Sequence, residues 1–179
     1  IEDRIWSHKW SIEDWCSDEG PSVADYVLAP ALFGTSGDTP VRIGVIAHEF
    51  GHFFGLPEMY DVDGSSSGAG NWCLMAGGAW GFDGSQQQPS HLSAWSKIKL
   101  GWLQPERLLP GTHELPRVET TPKVFVIDSG YRPGEYLLIE NRGAVGFDSQ
   151  LPGEGLAIWH VDETKASNDD EGQPGQLTW

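Results

Sequence analysis

His48-Glu49-Phe50-Gly51-His52-Phe53-Phe54-Gly55-Leu56-Pro57-Glu58 is the stretch on which the reading of this 179-residue chain turns. Its pattern is H-E-x-x-H-x-x-G-x-x-E. On a helix, residues four apart lie one turn above each other on the same face. His48 and His52 can therefore offer two imidazoles to one cation. Glu49 follows the first of them and can accept a proton near an open coordination position. Thr39-Pro40 supplies an N-cap and a first-turn proline, which places the helix over residues 41–54. Val41, Val45, Ile46, Phe50, Phe53 and Phe54 predict a wide apolar face that buries this helix. Gly55 and Pro57 end it.

A sharp turn at Gly55 can bring Glu58 back to the cation, the logic of H-E-x-x-H-x-x-G-x-x-H metzincins with a carboxylate replacing the third histidine. Two histidines, one carboxylate and one water form an ordinary catalytic zinc set. Asp61 is the reserve third ligand. Downstream, Asn71-Trp72-Cys73-Leu74-Met75-Ala76-Gly77-Gly78 holds the candidate Met-turn, with Met75 followed by the small residues such a turn needs. Tyr60 is a candidate oxyanion stabiliser. The usual metzincin position for such a tyrosine, two residues after the methionine, is Gly77, which favours a structural role for Tyr60. Asp61 and Asp63 begin like a calcium loop but lack the third acidic position and the bidentate glutamate of an EF-hand. Calcium, held by irregular loop oxygens, is a second candidate ion.

These segments resemble the catalytic region of the M6 metallopeptidases, the group of bacterial immune inhibitor A. The resemblance rests on Ala47–His52, Gly55–Asp61 and Trp72–Gly78. It extends to His91–Lys97, Leu100-Gly101-Trp102, Glu140-Asn141-Arg142 and Gly155–Asp162. It implies an α+β, metzincin-like zinc peptidase domain that cleaves protein substrates through a metal-activated water. Zinc would sit on His48, His52 and Glu58, with Glu49 as general base. It also implies secretion and an inhibitory prosegment that is not in this chain. The family pattern carries Asp where this chain has the longer Glu58, and more strands are expected upstream of Ile1.

Composition fits one globular unit over 1–179, with an N-terminal part (1–55) carrying the zinc helix and a C-terminal part (56–179) carrying the third ligand, Met-turn and strands. Eleven Lys plus Arg against 26 Asp plus Glu give a net charge of −15. Such a surface repels nucleic-acid phosphates and anionic membranes, and no apolar run is long enough to span a bilayer. Cys16 and Cys73 could be bridged in an exported protein or remain free thiols. Residues 1–38 read as irregular chain with short strands, and 56–90 as a long loop. Pro89-Ser90 opens a second helix that stops at Gly101. Lys123–Asp128, Glu135–Glu140 and Leu156–Val161 read as strands. The polar stretch 167–175 reads as a mobile loop. His160 and Asp162 share a strand face as a structural pair, and His8, His91 and His113 are assigned structural roles.

Two other readings compete. One is a non-catalytic module, or a latent protease fragment, in which zinc only staples helix to loop. The other is a gluzincin with a distant glutamate ligand, for which Glu114 and Glu119 are poorly placed in a non-helical, proline-flanked stretch.

Overall fold

The computed structural model describes residues 5–34 and 37–170. Residues 171–175 of the predicted mobile loop lie outside the described residues. The chain is α+β. Strands β1 (His8–Cys16) and β2 (Ser22–Leu28) form an antiparallel hairpin, with Trp10 opposite Tyr26 and a register shift between Ser11 and Trp15. Helix α1 (Ile43–Phe53) follows, and helix α2 (Ala94–Lys99) lies beyond a long loop. Strands β3 (Glu106–Arg107), β4 (Phe125–Ile127), β5 (Glu135–Arg142) and β6 (Gly155–Asp162) make a second sheet in that order. The β3–β4 pair is parallel and the rest antiparallel.

The hairpin agrees with the short strands expected within residues 1–38 and shows them longer and paired: Trp10, Trp15, Val23 and Val27 are strand formers, and pairing gives their backbone groups partners. Helix α1 is also shorter at its start than predicted. Its N-cap is Arg42, with no side-chain cap, and Pro40 instead forms an isolated bridge with Leu32. The C-terminal end behaves as expected, because Gly55 takes a φ of +88°, open to a residue without Cβ. Ser93 caps α2 by accepting from Ser96 N at 3.2 Å, so this helix starts later than Pro89-Ser90 suggested.

The face that α1 buries is not its phenylalanine face. Gly44, His48, Glu49 and Gly51 are buried, whereas Phe50, Phe53 and Phe54 are exposed. The reason is close approach. A Cβ on Gly44 would collide with the Ala79 carbonyl, and one on Gly51 with the Met75 sulfur. The two glycines thus let the helix lie directly on the loop that carries Met75, which bulkier residues would hold off. Beneath α1, Met75 packs with Leu56, Cys73, Ala76 and Leu92. A second cluster of Ala94, Leu103, Val118, Val124 and Leu138 joins α2 to the four-stranded sheet, and Trp95 packs against both. Cys16 is exposed and Cys73 fully buried, both as free thiols.

Replacing Gly44 by Ala forces a methyl group against backbone rather than against a movable side chain. Gly44→Ala is expected to cost about 1–3 kcal/mol, read as a lower urea midpoint. An unchanged midpoint would contradict the close helix–loop packing.

Candidate metal centre

Helix α1 turns His48 and His52 toward Glu58, which the chain returns after Gly55. The Nδ1 of His48 donates to the Leu74 carbonyl and the Nδ1 of His52 to the Leu56 carbonyl, each at 2.8 Å. A carbonyl only accepts, so each ring keeps a hydrogen on Nδ1 and directs Nε2 inward. The two Nε2 atoms are 3.1 Å apart. Glu58 reaches both, with Oε1 at 3.0 Å from His52 and Oε2 at 3.4 Å from His48.

These separations fit a small tetrahedral cation. Zinc with bonds of about 2.0–2.1 Å to nitrogen and oxygen would hold neighbouring ligand atoms about 3.3 Å apart. The Glu58 side chain is thus long enough to reach both imidazoles at such a spacing. Among the described residues, His48, His52 and Glu58 are the group of three whose donor atoms all lie within 4.8 Å of one another. Asp61 does not join them. Its carboxylate accepts from Asp63 N, Gly64 N, Ser65 Oγ and Ser66 N, closing its own loop, and Asp63 in turn accepts from Ser65 N. Both carboxylates thus act as Asx-type caps within this loop. Glu119 is likewise elsewhere, with Oε1 accepting from Gly143 N at 3.0 Å and lying 3.5 Å from Arg142, and Glu114 is exposed.

The electrostatics follow the geometry. Burial opposes ionisation of Glu58, yet hydrogen bonds and charge from His48 and His52 outweigh it and hold the carboxyl down at about 2. The Glu58 hydrogen bond raises the His52 pKa above that of an ordinary histidine, against the effect of burial and with help from the Leu56 carbonyl. Glu49, only 5% exposed, has its carboxyl pushed up by burial, with the two histidines opposing and Glu58 reinforcing. Met75 lies fully buried beneath Gly51, and the adjoining Leu74 carbonyl is the one that orients His48.

The histidines open onto a cleft of about 520 Å³. Tyr60, Trp80 and the β1 end, with Trp6, His8 and Lys9, line it alongside Glu49 and Glu58. Tyr60 stands with its ring centroid 6.0 Å from that of His48. Its hydroxyl accepts from Trp80 Nε1 at 3.1 Å, which leaves its own hydrogen to donate elsewhere. Burial chiefly raises the Tyr60 pKa and keeps that hydrogen in place, although the Trp80 bond works the other way. The roles of His8 and Trp80 in the cleft wall were not legible from spacing, because each reaches the site from a distant segment. His160 pairs with Glu135 at 2.9 Å, while Asp162 caps Thr164, so the predicted His160–Asp162 pair does not form. His113 bonds the Leu109 carbonyl.

Fold and site together define an α+β protein in which two histidines and one carboxylate converge beside a buried glutamate, a donor set of the kind that can hold a metal ion. The chain belongs to the M6 peptidase family: the family model of the immune inhibitor A peptidase M6 catalytic domain matches residues 1–105. Over 145 residues it is 27% identical to the pre-pro-metalloprotease PrtV of Vibrio cholerae serotype O1, covering 70% of this chain and 14% of that protein. Over 115 residues it is 30% identical to immune inhibitor A of Bacillus thuringiensis subsp. alesti, covering 54% of this chain and 15% of that protein. The chain thus spans about one seventh of the length of these relatives. No solved structure matches it. Among the described residues, no helix is long and apolar enough to cross a membrane.

In the metal-free protein, Glu58→Gln removes the charge that favours imidazolium at His52. The His52 pKa is expected to fall in an NMR titration, and an unchanged value would contradict the contact.

Proposed function

We propose that this chain is the catalytic part of a metzincin-like zinc endopeptidase, with zinc held by His48, His52 and Glu58. The observation that carries the reading is the convergence of three electron-pair donors at 3.0–3.4 Å, two of them turned inward by Nδ1 bonds to backbone carbonyls. When bound, zinc supplies Lewis acidity, polarising the scissile carbonyl and making water a nucleophile near neutral pH. Glu49 takes the proton from the attacking water and passes it to the leaving amine. Tyr60 donates its hydroxyl hydrogen to the carbonyl oxygen as negative charge develops there. Met75 serves as the Met-turn floor. Protein or peptide chains are the substrates, and the pre-pro form of the Vibrio relative supports export and an inhibitory prosegment as part of the same reading.

A zinc staple without catalysis is favoured less, because structural zinc normally takes four protein ligands. The donor group here stops at three among the described residues, and a buried glutamate stands beside it.

The sign of the pH dependence follows from His52. Zinc binds the neutral imidazole, and the raised His52 pKa keeps the competing proton on to higher pH than usual. Zinc affinity should weaken as pH falls through that raised value.

The reading is tested with zinc content and hydrolysis of a quenched generic protein substrate, before and after chelation and zinc add-back. One equivalent of zinc with chelator-sensitive, zinc-restored cleavage is expected. Glu49→Gln should keep the zinc and lower kcat about 10²–10⁴-fold. Undiminished hydrolysis by that variant would contradict the base assignment, and zinc binding without wild-type cleavage would favour the staple.

A further inference from the structure

A buried ion-pair network lies on the far side of the loop that underpins α1. Arg142, fully buried on β5, makes a bidentate pair with the equally buried Asp148, at 2.9 Å and 2.7 Å from Nη2 and 2.9 Å from Nε. Glu140 also contacts Arg142 and accepts from Lys97 and Trp159. Two links leave this network toward the metal centre. Arg142 Nη1 donates to the Trp72 carbonyl at 3.0 Å, at the start of the Met75 loop. Asp148 Oδ1 accepts from the backbone N–H of His91 at 2.8 Å.

The second link continues without a break. The His91 carbonyl accepts from Leu74 N at 3.2 Å, and the Leu74 carbonyl accepts from His48 Nδ1 at 2.8 Å. A line of hydrogen bonds therefore runs Arg142–Asp148–His91–Leu74–His48, from the C-terminal sheet to one imidazole of the triad. We infer that Arg142 and Asp148 are positioning residues for the metal centre, fixing the ring orientation of His48 through the His91 and Leu74 backbone. Both lie beyond the part of the chain matched by the family model. The inference rests on the assignment of His48 as a metal ligand.

Three physical points support a positioning role over simple packing. The Arg142 fork and the Asp148 carboxylate lock each other bidentately, which fixes direction as well as distance. Hydrogen bonds that orient a ligating histidine are usually worth 10–100-fold in metal affinity. His52 provides an internal comparison, because its Nδ1 bonds the Leu56 carbonyl within the turn after α1, outside this line. Disturbing the network should therefore act on His48 and spare His52.

The test uses 15N-histidine-labelled protein, both metal-free and zinc-loaded. Asp148→Ala removes the acceptor for His91 N. It is expected to shift or exchange-broaden the His48 Nδ1–H resonance in both states, leave that of His52 in place, and weaken zinc binding about tenfold in competition with a chromophoric chelator. Asp148→Asn keeps an oxygen for His91 N and should partly restore both readouts; it also serves if the alanine variant does not fold. Leu138→Ala empties a fully buried site on β5 that is outside the line. It should lower the melting temperature while leaving the His48 signal unchanged. The inference is overturned if the Asp148 variants fold but leave the His48 resonance and zinc affinity untouched, or if Leu138→Ala reproduces their effect. A wild-type protein that binds no zinc would overturn the metal reading instead, since the His48 resonance of the metal-free protein still reports on the line.

Discussion

Three electron-pair donors, the Nε2 atoms of His48 and His52 and the carboxylate of Glu58, face one another at 3.0–3.4 Å. Such an arrangement is unfavourable unless positive charge lies among them, whether a proton shared with Glu58 or a metal ion. The rest of the structure keeps these groups from turning apart. Two backbone carbonyls hold the imidazole rings, Gly55 returns the chain to bring Glu58 alongside, and Gly44 and Gly51 bring α1 onto the loop that supplies one of those carbonyls.

That loop is short of regular structure, with only single turns at Gly70–Trp72 and Gly77–Trp80. Its order comes from attachments on both sides. Met75 and Cys73 sit in the apolar cluster beneath α1, while Trp72 and His91 are bonded from below by Arg142 and Asp148. Buried charges are costly when alone, and here each is met by partners: Lys97 and Arg142 are opposed by Glu140, Asp148 and Glu119. The C-terminal sheet thereby contributes to a site whose candidate ligands all come from the first third of the chain.

The site was more legible in the sequence than the fold around it. The approach of His48, His52 and Glu58 to one another was legible because helical spacing and one glycine turn dictate it locally. The β5 and β6 strands were legible from their β-branched and aromatic runs, whereas β3, two residues long, has no pattern to read. The burial of α1 was misread for a physical reason. Periodicity finds the apolar stripe, but close packing of helix on loop selected the stripe of glycines and histidines, leaving Phe50, Phe53 and Phe54 exposed. Asp61, the reserve ligand, stays apart from the histidines because Gly64, Ser65 and Ser66 place their donors on its carboxylate, positions that the helical spacing does not encode. The Arg142–Asp148 connection depends on contacts more than fifty residues apart, between Asp148 and His91 and between Arg142 and Trp72, that no spacing rule encodes.

The central claim is that this chain holds one zinc ion through two imidazoles and one carboxylate, leaving a coordination position to solvent or substrate. X-ray absorption of the zinc-loaded protein measures that ligand set directly. The account predicts two imidazole nitrogens and oxygen donors at about 2.0–2.2 Å, with no sulfur shell. A thiolate at about 2.3 Å, or a third imidazole, would contradict it.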